Sequence, residues 1–304
     1  MSANQSRRYR IEHLTAYRYS EPVMLSHQQL HLSPRVLPYQ RILDHELAIE
    51  PSPTDRRETT DAFGNPLTAI AIESAHRALD IVARSTIEVN ARASAAAIDS
   101  PAWEDVREQL AYRAAWRPEA AVLEATQFLF ESPQARLKRE LRSYAGDCFT
   151  PARPVLDAAK ELMAKIHAEF VFDPKATTVM TPVMTFFEQK RGVCQDFTHF
   201  MISCLRSTGL AARYVSGYLM TRPTAKRRSQ AGPDASHAWV ALFIPGSGWV
   251  DLDPTNNLLP SLEHITLGWG RDFSDVTPLR GVINGGGEQT LEITVSVEEV
   301  GEME

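Results

Sequence analysis

The sequence has 304 residues, of which 43% are hydrophobic and 23% are charged, and its net charge is −6. A chain of this length and composition folds as one large or two medium globular domains, and we expect two. Its longest basic run is the three residues 226–228, so the composition excludes the large basic surface of a nucleic-acid-binding protein.

The N-terminal segment and the cysteines indicate the compartment. Arginines near the start are followed by no apolar stretch, which predicts neither a secretory signal nor a membrane span. The three cysteines, Cys148, Cys194 and Cys204, lack paired spacing, which disfavours a disulfide framework and a structural zinc site. We therefore expect a cytoplasmic protein with reduced thiols, no cofactor and no membrane partner.

Residues 1–100 have the pattern of an antiparallel β domain. Apolar and polar residues alternate around Tyr9 and Ile11 and again around Ile87, which is the period of half-buried strands. Turn-forming segments, such as the Pro-Ser-Pro at residues 51–53, separate the runs. We predict a sheet or sandwich of about six strands.

The pattern becomes helical after this domain. Ser100 and Pro101 form a helix-start signal, and residues 101–150 are predicted to be a helical connector. Apolar residues between Val155 and Phe170 follow the spacing of one buried helix face. With the strands that come later, this order predicts an α+β protein.

The segment GVCQDFTHF, residues 192–200, places Cys194 at the start of a helix that is predicted to run to about Thr208. Gly192 is expected to end the preceding short helix in the left-handed conformation. The N-terminus of a helix stabilises a thiolate, which is the nucleophilic form of cysteine. Most free cysteines are inert packing residues, and we expect this of Cys204 on the apolar face of the same helix.

Three apolar runs after this helix predict an antiparallel meander, in which residues 245–248 turn the second strand into the third. A turn centred there brings Asp253 diagonally across from His237 on one face of the sheet. Asp251 has the same parity but lies one pair further away, so alternation alone does not separate the two aspartates. The long polar loop of residues 221–236, which precedes His237, is of a length typical of functional or disordered loops.

These positions together suggest a chemistry. A cysteine at a helix start, a histidine opening a strand and an aspartate ending the next strand can supply the nucleophile, the general base and the group that orients the base. Each residue alone is weak evidence for a catalytic site, because a lone histidine is usually a packing residue with its hydrogen bonds satisfied and an aspartate before Pro-Thr is usually a turn former. In combination they predict a thiol acyl-transfer site of Cys194, His237 and Asp253.

The same segments resemble a known family, the bacterial transglutaminase-like superfamily. The resemblance rests on GVCQDFTHF, on SHAWVALFIPGSGWVDLDPTNN and on the N-terminal YRIEHLTAYRYSEPV, and it extends over nearly the whole chain. It implies a transglutaminase-like core of the papain-like cysteine protease type, over residues 151–283, behind the N-terminal β domain. It also implies Cys194 as nucleophile, His237 as base and Asp253 as the carboxylate that orients His237.

The resemblance leaves the acyl acceptor open, because the superfamily includes protein cross-linkers, peptidases and amidases. We expect a peptide or protein amide substrate that is hydrolysed by water through a thioester, since an indiscriminate cross-linker would be hazardous in the cytoplasm. Transfer to an amine, as in a protein-glutamine transglutaminase, and a non-catalytic protein-binding module that retains the fold are the alternatives.

Two further polar residues lie in the predicted nucleophile helix. Asp196 and His199 share one helix surface, and we expect them to stabilise the helix rather than to react. A metal site of Asp196, His199 and His237 lacks a recognisable ligand spacing, so no metal site is predicted.

The C-terminal part of the chain carries charges and then a strand pattern. Arg271, Asp272 and Asp275 either shape the pocket or form salt bridges that close the domain. Residues 284–304 contain an alternating apolar run, and we predict that residues 290–298 add a strand to the N-terminal sheet.

Overall fold

The structure is a computed structural model, and it describes residues 5–92, 94, 97–112, 117–220 and 236–301. All but the last residue of the loop predicted at residues 221–236 therefore lies outside the described residues. Within the described ranges, no helix combines the length and the apolar composition needed to cross a bilayer.

Strands and helices occur in an order that matches the expected β, helical and mixed segments. The strands are β1 (Ser6–Leu30), β2 (Gln40–Glu50), β3 (Asp55–Thr60), β4 (Pro66–Ile72), β5 (His76–Asn90), β6 (Val171–Phe172), β7 (Arg191–Gly192), β8 (Ala212–Leu219), β9 (Ser236–Ile244), β10 (Gly248–Leu252), β11 (His264–Gly270), β12 (Leu279–Gly285) and β13 (Gln289–Val300). The α-helices are α1 (Trp103–Leu110), α2 (Ala120–Thr126), α3 (Arg139–Gly146), α4 (Val155–Glu169), α5 (Val183–Gln189) and α6 (Cys194–Ser207).

The N-terminal sheet is built around β1, which is 25 residues long. One side of β1 pairs with β5 and β4, and the other side pairs with β13 and β12, in each case antiparallel. The predicted alternation is present, since Tyr9 and Ile11 are buried. Residues 6–90 contribute five strands to this sheet, close to the predicted number of about six, and β1 continues through a register irregularity between Arg18 and Val23.

The C-terminal segment returns to this sheet. Residues 289–300 pair with residues 8–19 of β1, so the strand predicted at residues 290–298 lies in the N-terminal sheet. Strand β12 pairs with the second half of β1 from Leu279 onward. Residues 279–285 therefore also lie in the N-terminal sheet.

Residues 101–150, predicted to be a helical connector, pack against the elements that follow them. Val106, Phe128 and Leu141 belong to the same buried cluster as the apolar residues of α4, α6 and β9. Helix α1 begins at Trp103 and has no side-chain cap. Ser100, which was expected to cap it, instead accepts a hydrogen bond at 3.0 Å from the backbone N–H of Leu156 in the first turn of α4.

The second sheet carries the predicted meander and one strand more. Its order is β10-β9-β8-β11, all antiparallel. The unpredicted strand β11 is almost continuously buried, and it pairs with β8 through a register irregularity between Thr266 and Gly268. Helix α6 packs against β9 and β8, and its residues Gln195–Arg206 are all buried.

Arg206, near the end of α6, joins this helix to three other segments. Its side chain is buried, and it donates hydrogen bonds to the backbone oxygens of Ala212 at 2.8 and 3.0 Å, of Phe130 at 3.0 Å and of Arg271 at 2.6 Å. Buried carbonyl groups that lose a donor incur the cost of their lost hydration. Arg206 is therefore expected to be a major contributor to the stability of the core.

We predict that Arg206→Met lowers the free energy of unfolding by about 3 kcal/mol or more, because three backbone oxygens lose their buried donor. Urea unfolding followed by circular dichroism measures the change. Arg136→Met is the control, since the side chain of Arg136 is 52% exposed, and it should change the free energy by less than about 0.5 kcal/mol. Equal effects of the two variants would contradict the role given to Arg206.

Candidate active site

The start of α6 is fixed by side chains around Cys194. The Asp196 carboxylate accepts hydrogen bonds from the backbone N–H of Val193 at 2.8 Å and from the Thr177 hydroxyl at 2.6 Å. This is the expected structural role of Asp196, a carboxylate in the first turn that binds the backbone before the helix. The helix therefore begins at Cys194.

Gly192 is needed at this point for a different reason from the one expected. Lys190, with a φ of 56°, adopts the left-handed conformation that ends α5, whereas Gly192 does not have a positive φ. A Cβ atom on Gly192 would lie 2.5 Å from the Asp196 carboxylate and 2.8 Å from the Phe186 ring. The glycine allows these two groups to approach the backbone in front of Cys194.

Cys194 differs from the other two cysteines in exposure. It is partly buried, whereas Cys148 and Cys204 are 2% and 0% exposed. Burial raises the pKa of both of these thiols, so they remain protonated and inert. Cys194 is thus the most accessible of the three thiols, and it lies at the positive end of the α6 dipole.

His237 and Asp253 meet across the hairpin. Strands β9 and β10 pair Gly248 with Ile244 and Leu252 with Val240, which confirms the register predicted from the turn. The Nε2 atom of His237 lies 2.8 Å from Oδ2 of Asp253. The diagonal relation is thus close enough for a direct hydrogen bond.

The structure separates the two aspartates that alternation could not. Asp251 accepts a hydrogen bond from Nε1 of Trp239 at 2.8 Å and pairs with the guanidinium group of Arg92, which follows β5. Asp251 is therefore part of the contact between the hairpin and the N-terminal domain. Only Asp253 reaches His237.

Asp253 is fully buried and held by the turn that follows β10. Its Oδ1 accepts hydrogen bonds from the backbone N–H groups of Thr255 and Asn256 at 3.0 and 3.1 Å, and its Oδ2 accepts one from the Asn256 side chain at 2.7 Å. Burial by itself raises the pKa of this carboxyl, but the charge and hydrogen bond of His237, together with the hydrogen bond from His264, hold it far below its usual range. Asp253 is consequently an anion.

His264 was missed by the sequence reasoning. It is 1% exposed, and its Nε2 lies 3.1 Å from the same Oδ2 atom of Asp253. The signal that could have found it is the apolar run HITLGWG, because His264 opens β11 just as His237 lies at the start of β9. The sequence alone did not allow this comparison between β9 and β11, because β11 was not predicted.

His237 also contacts Cys194. Burial lowers its pKa, but the charge of Asp253, the hydrogen bond to Asp253 and a hydrogen bond with the Cys194 side chain outweigh burial and raise the pKa to about 10. Because Nε2 is engaged by Asp253, Nδ1 is the ring nitrogen left for the thiol. The arrangement favours an imidazolium form of His237 beside Cys194.

His199 and the acidic residues after β11 have structural roles. His199 is buried, and burial lowers its pKa to about 4, so the neutral ring accepts a hydrogen bond at 3.2 Å from the backbone N–H of Phe273. Arg271 pairs with Asp275 at 2.9 Å, and Asp272 accepts the backbone N–H of Gln134 at 2.8 Å. Arg271, Asp272 and Asp275 were expected either to shape the pocket or to close the domain, and these contacts match closure of the domain.

Potential metal ligands converge at one place among the described residues. The side-chain atoms of His237, Asp253 and His264 lie within 4.8 Å of one another, which differs from the group of Asp196, His199 and His237 considered from the sequence. Direct hydrogen bonds join the two histidines to the carboxylate, so an ion would have to displace both. The arrangement fits proton transfer from His237 to a reacting group better than it fits metal binding.

Comparisons with known proteins cover both parts of the chain. Residues 9–88 match the family model of the bacterial transglutaminase-like N-terminal region, and residues 142–254 match that of the transglutaminase-like superfamily. Rv2569c, an uncharacterized protein of Mycobacterium tuberculosis, is 37% identical over 300 residues, which span 96% of this chain and 92% of that protein. A protein-glutamine gamma-glutamyltransferase of Pseudomonas aeruginosa is 30% identical over 135 residues, 39% of this chain and 20% of that protein.

The fold is also similar to a solved structure. A crystal structure from Cytophaga hutchinsonii, of a protein provisionally identified as a cysteine protease, superposes with a TM-score of 0.74. The similarity covers 98% of this chain and 92% of that one, at 18% sequence identity. It confirms the predicted α+β fold, with an N-terminal antiparallel sheet followed by a transglutaminase-like core.

The paired charges predict how stability depends on pH. The pKa of His237 is raised from 6.5 to about 10, so its pairing with Asp253 stabilises the fold fully below pH 6.5 and is lost as the pH rises toward 10. The pKa of Asp253 is lowered, so its contribution is present above 3.8 and is lost in stronger acid. Asp253→Asn should therefore cost about 2 to 4 kcal/mol more at pH 6 than at pH 10.

Urea unfolding of wild type and variant at several pH values measures this difference. Asp157→Asn is the control, since Asp157 lies in the first turn of α4 with a side chain that is 56% exposed. It should cost the same at both pH values. A constant cost of Asp253→Asn from pH 6 to pH 10 would show that His237 and Asp253 are not coupled as described.

Proposed function

Because this chain belongs to the bacterial transglutaminase-like superfamily, we propose that it catalyses thiol-dependent acyl transfer on the amide bonds of peptides or proteins. Cys194 is the proposed nucleophile, His237 the general acid and base, and Asp253 the carboxylate that orients His237. The observation that carries the proposal is the position of the His237 ring, which bonds Asp253 at 2.8 Å and contacts the Cys194 side chain.

In the proposed first stage, the Cys194 thiolate attacks the carbonyl carbon of the amide. A C–S bond forms, and the electron pair of the C=O bond moves to the oxygen. When the tetrahedral intermediate collapses, the C–N bond breaks and the His237 imidazolium gives its proton to the departing amine. The product of this stage is a thioester on Cys194 and a neutral His237.

In the second stage His237 is the base. It removes a proton from water, the oxygen attacks the thioester carbonyl, and the C–S bond breaks to release a carboxylic acid and the thiolate. Asp253 remains an anion throughout and stabilises the imidazolium each time it forms. The backbone N–H of Cys194, at the first position of α6, is the proposed donor to the oxyanion in both stages.

Water is the acceptor that we propose first, which makes the protein a peptidase or amidase. Transfer to a primary amine is the second candidate, and the similarity of 135 residues to the Pseudomonas aeruginosa protein-glutamine gamma-glutamyltransferase favours it. Both reactions share the thioester stage and differ only in the molecule that attacks the thioester.

We further propose that the protein works in a reducing compartment such as the cytoplasm, in keeping with its three free cysteines.

We predict that Cys194→Ala abolishes labelling by iodoacetamide at neutral pH and all amide turnover, because the other two thiols are buried and protonated. Mass spectrometry of the labelled protein and a peptide-library assay measure the two effects. Cys148→Ala is the control and should retain both. Unchanged turnover in Cys194→Ala would refute the proposal, and labelling of wild-type Cys194 no faster than of an ordinary thiol would support the non-catalytic binding module.

A second prediction distinguishes the acceptors. Incubating the protein with a peptide library, with and without a primary amine, should yield products with the mass of hydrolysed peptide in both samples. Attack by water gives a carboxylic acid, whereas attack by the amine adds the mass of the amine and loses ammonia. A predominance of amine adducts would overturn hydrolysis in favour of the transglutaminase reaction.

A further inference from the structure

Two histidines share one oxygen atom of the Asp253 carboxylate. Nε2 of His237 lies 2.8 Å from Oδ2, and Nε2 of His264 lies 3.1 Å from the same atom. The two rings are 5.9 Å apart between centroids and inclined by 55°, so they approach the oxygen from different sides. The mechanism proposed above uses only one of these two contacts.

We propose that His264 is a positioning residue that competes with His237 for Asp253 and thereby limits how tightly the carboxylate holds the His237 proton. The proposal rests on the proposed function, because it concerns the same thiol site. Each donor that an anion accepts reduces its attraction for the next donor. His264 therefore weakens the bond from Asp253 to the imidazolium while it keeps the carboxylate in place.

For this role His264 must be neutral and must donate through Nε2. Its ring is 1% exposed, and burial lowers its pKa. The hydrogen bond and charge of Asp253 raise this pKa, but they do not outweigh burial, which His237 and Arg92 reinforce. A neutral ring that faces a carboxylate through Nε2 carries its proton there. His264 thus supplies a hydrogen bond without adding a second positive charge beside His237.

Neighbouring residues contact both the backbone and the ring of His264. Its backbone oxygen accepts a hydrogen bond at 3.5 Å from Arg92, and the Trp239 ring packs against it at 5.2 Å and 87°. Trp239 is itself fixed by its hydrogen bond to Asp251, which also pairs with Arg92. His264 therefore remains aimed at Asp253.

The charged groups around the site come from four other elements. Cys194 faces it from α6, Asp253 from the turn after β10, Asp251 from β10 and Arg92 from the end of β5. His264 itself acts on His237 through Asp253, the carboxylate that both histidines bind.

A general acid must release its proton during the reaction, and a histidine with a pKa near 10 already holds its proton strongly. A further increase would slow proton transfer to the leaving amine.

The test follows the His237 proton without a substrate. Cys194 is alkylated with anionic iodoacetate and with neutral iodoacetamide between pH 6 and pH 11, and the ratio of the two rates is measured. An imidazolium beside the thiolate attracts the anionic reagent, so the ratio falls as His237 loses its proton. The midpoint of this fall should lie higher in His264→Leu than in wild type, so the variant should keep the larger ratio between pH 10 and pH 11.

Companion variants separate the hydrogen bond from a packing effect. His264→Gln keeps an N–H donor near the position of Nε2 and should retain the wild-type midpoint. His264→Asn places its donor too far from Asp253 and should raise the midpoint as His264→Leu does. If His264→Leu does not fold, His264→Asn provides the same test. His13→Leu removes an equally buried histidine, bonded to Tyr218 at 2.9 Å, and should change only stability.

The outcomes are distinct. A midpoint that stays in place or falls when the donor is removed, or that rises equally in His264→Gln, overturns the role of His264. The proposed function fails separately, if wild-type protein shows the fall in ratio but turns over no amide.

Discussion

A carboxylate without access to solvent stays charged only if donors replace its lost water, and Asp253 meets this condition with five hydrogen bonds. The donors come from β9, from the turn after β10 and from β11, so one buried charge fixes the relative positions of these three segments. His237 takes its orientation from this charge, and His264 shares it. The geometry of the site therefore depends on keeping Asp253 buried and fully bonded.

The opposite wall of the site follows the same physical rule. Helix α6 is almost completely buried, and side-chain hydrogen bonds hold it near both ends. Asp196 binds the backbone and Thr177 at the start, and Arg206 binds backbone oxygens near the end. A helix held in this way keeps Cys194 at a constant position relative to His237, which is the precision that the proposed attack on a carbonyl carbon requires.

Several features could be predicted because they depend on residues close together in the chain. Helix periodicity and the position of Cys194 located the start of α6, and a four-residue turn set the register that brings Asp253 toward His237. The extent of β1 was harder, because turn residues predict breaks, whereas pairing on both sides carries this strand past Pro22. Likewise, Gly192 was expected to end α5 in the left-handed conformation, which was wrong, because Lys190 ends that helix and Gly192 is required by the close approach of Asp196.

The remaining decisions depended on partners far apart in the sequence. Asp251 was equivalent to Asp253 by alternation, and it is removed from the site by Arg92, 159 residues away. His264 reaches Asp253 only because β11 pairs with β8, a contact that no local pattern indicates. The sequence by itself thus determined the α+β order, the helix that begins at Cys194 and the hairpin, since capping, periodicity and turn chemistry are local. Only the tertiary structure decided which aspartate bonds His237 and which second histidine shares it, because burial and long-range hydrogen bonds leave no periodic trace along the chain.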